Sequence, residues 1–329
     1  MPMIKLKENH LAWALKHIQK YYHSDFYPKI FEFSAIAHNW QSVKDYILSL
    51  DIDTYQPKSP MINLAPKTDG NYRIVHQLEP IDSLIYTALI HEVCETIEDY
   101  RIPASECIAC SYRTKPDLEG SFFSRDTGWN TFQSKSETLV GKYKTGFVII
   151  ADITDFYNQI YTHRINNLIE IAGKGVFKEQ ARVIEEFLLG LNKRTSRGIP
   201  VGPVPSIILA ELIMSDIDNK IRTFTDDFVR YVDDIRIFFE RREDAVYTLH
   251  ELTQYLYSSH RLVFSGRKTV VQTVKWFSDK YLIDEEAEEK LALTIKADEL
   301  ATTEVDKLFA EMSPYDYLFD PEGEYEKAF

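Results

Sequence analysis

The 329-residue sequence predicts an α+β protein, an antiparallel sheet with helices on one face and helical segments at both ends of the chain. Three observations carry that prediction. Phe147-Val148-Ile149-Ile150-Ala151 is an apolar run of the length of a buried strand. Asp226 to Phe239 places apolar residues on either side of Tyr231-Val232-Asp233-Asp234, which reads as a β-hairpin with two aspartates at its turn. Helix-period segments separate and follow these stretches, so the order is strand, helices, hairpin, helix, strand.

Taken in order, residues 8–23 set Leu11, Leu15, Ile18 and Tyr22 at helical spacing, and a second helix is expected from about Gln41 to Leu50. Met61 to Lys67 and Tyr72 to His76 are strands joined by Thr68-Asp69-Gly70-Asn71, whose Asp-Gly is a strong hairpin signal. Glu79-Pro80 opens a helical run to about Tyr100, with proline suited to a first helical position. Residues 101–127 are irregular, and 129–143 read as a helix. Two helices, 163–172 and 178–192, are separated by Gly173-Lys174-Gly175, and 204–222 form a largely apolar helix. An amphipathic helix runs from Glu243 to about Ser259. Leu262-Val263-Phe264 and Thr269-Val270-Val271 then read as short strands. No internal repeat or low-complexity segment is present.

The length suffices for a substantial core and one to three subdomains. The formal net charge is -13, of which residues 281–329, with 15 acidic and 4 basic side chains, carry -11. The rest of the chain is near neutral at about -2, without the basic excess expected of a protein that holds a long duplex. No apolar run approaches membrane-spanning length and no signal-peptide h-region is present, so a soluble intracellular protein is expected. Cys94, Cys107 and Cys110 are expected to be reduced structural thiols, because a single C-x-x-C pair cannot fill a tetrahedral zinc site.

Asp152 follows the apolar strand directly. If that strand neighbours the Asp233-Asp234 hairpin, three carboxylates meet at one end of the sheet, where they repel one another and shift their own pKa values. Hard divalent ions such as magnesium relieve that conflict, since they take carboxylate oxygens together with substrate phosphates.

Asp152, the Tyr231-Val232-Asp233-Asp234 box, and Gly198-Ile199-Pro200-Val201-Gly202 with Ser206 between them resemble, in that order, three motifs of the reverse transcriptases. The resemblance covers roughly residues 60 to 280. It implies a helical N-terminal segment (1–60), fingers (61–145) and a ferredoxin-like palm (146–280). An acidic C-terminal segment (281–329) follows, where relatives begin a large helical domain that a chain ending at Phe329 does not contain. It also implies two-metal nucleotide transfer with Mg2+, or Mn2+ in its place. Asp152 and Asp233 would be the bridging ligands, Asp234 auxiliary, and the carbonyl of Ile153 would complete a shell. Lys67 and Arg73 beside the hairpin turn would touch the incoming triphosphate. Tyr157, five residues past Asp152, would lie beneath the sugar and exclude a ribose 2′ oxygen. Gly202, with Gly198, would let backbone approach the nucleotide, Ser206 of the same loop motif would also be a nucleotide-binding residue, and Lys268 would neutralise or protonate the leaving pyrophosphate.

Other residues have plain readings. Asp155 is expected to cap a short helix, and Asp216 and Asp218 to be solvated helix aspartates. Asp82 either caps its helix or fills the aspartate position that relatives have after the fingers hairpin. Ser111-Tyr112-Arg113 is expected on a surface loop, although related enzymes have a similar stretch facing the active site.

Departures narrow the resemblance. Val201 stands where most templated reverse transcriptases have glutamine, and valine offers no amide to a template–nucleotide pair. The stretch Asp152 to His163 and Gly198 to Pro203 are most similar to bacterial abortive-infection reverse transcriptases. That resemblance implies a cytoplasmic antiphage polymerase that joins deoxynucleoside triphosphates without a template. It further implies priming from a protein hydroxyl, single-stranded DNA left covalently attached, and assembly as a homo-oligomer away from membranes. The alternatives are a templated polymerase of retron or group II intron type, and an inactive palm used for assembly or phage sensing.

Overall fold

The expected apolar stripe forms the first helix of the computed structural model, which describes residues 4–21, 30–66, 72–124 and 126–282. In α1 (Glu8–Tyr21), Leu11, Leu15 and Ile18 are buried, while Tyr22 lies outside the described residues, and the helix packs on the long helix that follows the first hairpin. Two shorter helices, α2 (Phe31–His38) and α3 (Trp40–Ser49), complete the N-terminal layer. Phe33, Ile36 and Ile47 join them to the main core. The hairpin β1 (Met61–Pro66) and β2 (Tyr72–Gln77) pairs antiparallel, with Ala65 opposite Arg73. It is a separate two-stranded sheet.

Pro80 sits in the first turn of α4 (Pro80–Tyr100), which is buried along most of its length. After the irregular stretch comes α5 (Trp129–Lys142), then β3 (Phe147–Ala151), a four-residue α6 (Phe156–Gln159), α7 (Thr162–Ala172), α8 (Lys178–Leu191) and α9 (Val204–Arg222). The second hairpin is β4 (Phe228–Tyr231) and β5 (Asp234–Phe239), followed by α10 (Arg242–Tyr255), β6 (Val270–Thr273) and α11 (Val274–Tyr281). Thr273 caps α11, its hydroxyl accepting from the Trp276 amide at 3.2 Å.

The four-stranded sheet has the order β4-β5-β3-β6 with every pairing antiparallel. β3 is interior to it, which is why its five residues are apolar throughout. One face carries Ile149, Ala151, Ile235 and Ile237 into the large core shared with α4 and α7 to α10. The opposite face is also covered: α5 and α11 close it with Phe132, Leu139, Val274 and Phe277 around Val148, Ile150, Val229 and Phe238. Arg236 belongs to this second face. Its guanidinium stacks over Phe132 at 4.0 Å and donates to Ser136 and Gln133, so its charge is buried against rings and neutral acceptors.

Of the two short strands expected after α10, residues 270–273 form β6, whereas Phe264 makes only an isolated bridge with Ile153. The acidic segment beyond Leu282 and the hairpin turn at 67–71, with Lys67, lie outside the described residues. Among the described residues no helix is long and apolar enough to cross a membrane.

Candidate active site

The β3–β5 ladder ends with Ala151 opposite Ile235, and one step further the same register places Asp152 beside Asp234. The β4–β5 ladder ends at Tyr231 opposite Asp234, so the hairpin loop is only Val232-Asp233. Strand pairing therefore delivers three carboxylates to one end of the palm.

Their electrostatics follow from that crowding. Burial pushes the Asp233 carboxyl up to about 7, and the charge of Asp152, then that of Asp234, adds to the shift. Asp234 is raised by burial and by Asp152, while Arg236 opposes the change. Lys268 comes in from the turn before β6, with Nζ 3.7 Å from Asp152 Oδ1. That turn is tied to the strand end, because the Ser265 amide donates to the Asp152 carbonyl at 2.8 Å and the Thr154 amide donates to the Val263 carbonyl at 3.0 Å. Neither bond uses the peptide groups of Ile153. In an antiparallel bridge of this kind they face away from Phe264, toward the hairpin side.

The donor set fits hard divalent cations. It has three carboxylates and a backbone carbonyl, all oxygen, in a site where unneutralised negative charge is penalised. Among the described residues no three side chains are drawn into a preformed metal cage, so the fit rests on donor chemistry and strand register.

Tyr157 lies beside this cluster. Burial holds its phenol well above the ordinary range, with Glu211 and Asp233 adding to the shift and Arg73 acting against it. Arg73 is half-buried on β2, on the strand face it shares with Val75. Asp152, Asp233, Asp234 and Lys268 are thus gathered in one region, and Tyr157 feels the charges of Asp233 and Arg73.

Gly202 and Ser206 are placed differently. Gly202 has φ +120°, and a side chain there would meet the His76 carbonyl at 3.2 Å. Val201 next to it donates its amide to His76 Nδ1 at 3.0 Å and accepts from the His76 amide at 2.8 Å. The glycine loop is therefore latched to β2, and the close approach that Gly202 permits is to the protein's own backbone. Ser206 is fully buried and shares a 3.0 Å hydrogen bond with the Tyr86 hydroxyl.

Four plain readings are corrected. Asp155 sits at φ 51° and makes no cap; its carboxylate instead accepts from the Asn158 and Gln159 side-chain amides at 2.6 and 2.9 Å. Asp82 does not cap α4 either, but accepts from the Tyr55 hydroxyl (2.7 Å) and the Lys58 amide (2.9 Å), tying the preceding loop to that helix. Asp216 accepts from Arg164, Tyr255 and His260, which outweigh burial and hold its carboxyl below the usual carboxylate range. Asp218 is wholly buried against Arg230, and Ser111, Tyr112 and Arg113 are buried too, not on a surface loop.

Those last residues belong to a buried ionic network that the sequence reading missed. Arg230 reaches Asp218 and Glu211, and Arg101 reaches Glu211 at 2.6 Å. The signal was present as charged residues inside apolar elements. Arg230 interrupts Phe228-Val229-Arg230-Tyr231, and Glu211 interrupts Ile207-Ile208-Leu209-Ala210-Glu211-Leu212. A lone buried charge is prohibitive, so each implied a partner.

The antiparallel sheet thus carries one carboxylate just past the end of an interior strand and two more in the adjoining hairpin turn. The sequence pattern described as "Reverse transcriptase (RNA-dependent DNA polymerase)" matches residues 65–318, and the chain belongs to that family. Among solved structures it is similar to telomerase from Candida albicans in complex with a TWJ fragment of telomeric RNA, at 12% identity over 78% of this chain and 51% of that one, with a TM-score of 0.45. Apo telomerase from Candida tropicalis gives 12% identity over 78% and 52%, also at 0.45. This chain spans about half the length of those telomerase chains. No curated protein matches it by sequence.

Proposed function

We propose that the chain is a DNA polymerase that adds deoxynucleotides to a 3′ hydroxyl by two-metal catalysis. The observation that carries this is the register-enforced meeting of Asp152, Asp233 and Asp234 beside Lys268. In this reading Asp152 and Asp233 would hold magnesium, with Asp234 assisting and the Ile153 carbonyl completing the oxygen donors. A bound metal pair supplies activation of the attacking hydroxyl and neutralisation of charge on the leaving pyrophosphate. Lys268, already within reach of Asp152, meets the phosphate end of the nucleotide and donates a proton or a charge there. Arg73 approaches the same phosphates from the hairpin. The Tyr157 ring, held near Asp233, occupies the space a ribose 2′ oxygen would need, and so excludes ribonucleotides by a clash.

We further propose that synthesis needs no template. Val201 supports this: its side chain is buried and its backbone is committed to His76, so the loop offers no side-chain amide to a template–nucleotide pair. Priming from a protein hydroxyl, homo-oligomeric assembly and a place in abortive antiphage defence rest on the resemblance of the Asp152 and Gly198 stretches to that group of enzymes. Purified protein with magnesium and labelled deoxynucleotides, with and without primer–template, tests the reading. Product without template supports it. Product only with template makes the enzyme templated, and no product under either condition makes the palm an inactive module.

A further inference from the structure

Val232 occupies the left-handed region at φ 54°. A β-branched residue there is a genuine outlier, because its Cβ crowds the backbone, and such conformations persist only where the surroundings impose them. Here the surroundings hold both peptide groups of Val232. Its amide donates to Ser111 Oγ at 2.9 Å, and its carbonyl accepts from Arg230 Nη1 at 2.8 Å. The next residue is Asp233.

Both holders converge on one carboxylate. Ser111 Oγ donates to Glu211 Oε1 at 2.6 Å, and Arg230 donates to Glu211 Oε2 at 3.0 Å. A serine hydroxyl has one proton. With that proton given to Glu211, only lone pairs remain for Val232, and these match an amide donor. Glu211 thereby sets the polarity of Ser111 as well as the position of Arg230. It is itself fixed by Arg101, and Arg230 is fixed a second time by Asp218, through bonds of 2.8 and 2.7 Å. All four charged side chains are essentially inaccessible, with Arg230 and Asp218 at 0% and Glu211 at 2% exposure. Two positive and two negative charges make the group neutral. A buried ionic group of this kind contributes little net stability relative to apolar packing of the same volume. Its bonds to Val232 fix a strained turn that apolar packing would leave free.

We propose that Ser111, Arg230 and Glu211 are positioning residues for nucleotide transfer, clamping the Val232 peptide groups so that the strained turn presents the Asp233 carboxylate in one orientation. This rests on the polymerase reading above, and it adds residues that touch neither substrate nor metal.

The test uses Ser111→Ala, which removes one hydroxyl and leaves the ionic quartet intact, alone and combined with Val232→Gly. Glycine adopts positive φ without strain, so a turn containing it depends less on the clamp. Ser111→Ala is expected to lower kcat for deoxynucleotide incorporation by about 10- to 100-fold, the scale of a small misplacement of a reacting group, with KM for nucleotide within about threefold. The same substitution made in Val232→Gly is expected to cost about threefold or less relative to Val232→Gly itself. An unchanged kcat, or an equal loss in both backgrounds, overturns the clamp. Backbone amide exchange over residues 228–235 separates this from failure of the polymerase reading, because it needs no activity. Faster exchange in Ser111→Ala at unchanged global stability supports the clamp even if the wild-type chain incorporates nothing, and unchanged exchange overturns it.

Discussion

Asp152 and Asp234 each stand one residue past the Ala151–Ile235 pair that ends the β3–β5 ladder, and Asp234 feels the charge of Asp152 through strand register and not through flexible side chains. A one-residue slip of β3 against β5 would turn Asp152 to the other face of the sheet. The buried residues on both sheet faces prevent that slip. The acidic cluster is therefore locked in place by the core.

The first prediction follows for the carboxylate that the cluster raises most clearly. Asp233→Asn is expected to abolish nucleotide incorporation while the thermal midpoint of the metal-free protein stays unchanged or rises. The substitution removes a ligand oxygen and also a charge that Asp152 and Asp234 repel. Near-normal turnover in this variant would remove Asp233 from the metal site. A protein that no longer folds would make its role structural.

A second prediction concerns the sugar. Tyr157→Ala is expected to narrow the preference for deoxynucleotides over ribonucleotides, because selectivity that comes from a clash is lost with the obstacle. The measurement is the ratio of kcat/KM for matched ribo- and deoxynucleotides. An unchanged ratio would place the phenol elsewhere than under the sugar, even though the charges of Asp233 and Arg73 are felt there.

How far these residues were legible in the sequence depended on the range of the interaction that fixes them. β3, the Asp233-Asp234 hairpin and α4 were visible because apolar period, turn composition and a helix-start proline are local signals. Asp152, Asp233 and Asp234 could be brought together on paper because strand pairing follows from those elements. The Ser111–Glu211 bond spans 100 residues, the Arg101–Glu211 pair 110, and the Val201–His76 latch 125. Nothing within a window around Ser111 distinguishes a buried serine from one on a loop. Likewise α2 and α11 were not anticipated, since each is 8 residues long and gains its stability from tertiary contact.

The third prediction uses a buried aromatic stack in the N-terminal layer. Trp13 lies face to face with His91, with ring centres 3.9 Å apart, and with His17 at 5.6 Å. Burial pulls His17 down to about 4, opposed by the Gly120 carbonyl, which accepts from its Nδ1–H at 2.8 Å. Burial, with His10 and His17 nearby, pulls His91 to about 4 as well. The unfolded chain takes up these protons near pH 6.5, whereas the folded chain refuses them until about pH 4, so acidification through that window favours unfolding. For the fully buried His17 the loss is about 3 kcal/mol across the window. Urea midpoints at pH 7 and pH 4.5, in the wild type and in His17→Gln, measure it, and the substitution is expected to shrink the fall by the His17 share while that of His91 remains. Because the raised carboxyls of Asp233 and Asp234 act in the opposite sense, the comparison with His17→Gln decides: an equal change with pH in both proteins would show that the folded state accepts the His17 proton.

The last prediction concerns nucleic acid. A protein that neutralises phosphates loses duplex affinity with salt, at a slope of about -0.9 per phosphate contacted. Outside the acidic segment the chain is near neutral, and the structure commits several of its surface cations to internal partners. Arg194 pairs with Glu186 at 2.5 Å, and Arg182 pairs with Asp53 and Glu179. Arg197 donates to Gln159 and Tyr161 and stacks over the Tyr161 ring at 4.7 Å. Each of these would have to give up a carboxylate or a ring to meet a phosphate. Binding of a primer–template duplex is therefore expected to be weak and nearly flat in salt. A single strand can still bind by stacking on aromatic side chains, which needs no net charge. Salt titrations with a duplex and with a single strand of equal length decide the matter. Tight duplex binding with a steep slope would mean that these ion pairs open on contact, and the enzyme would then have to be read as templated.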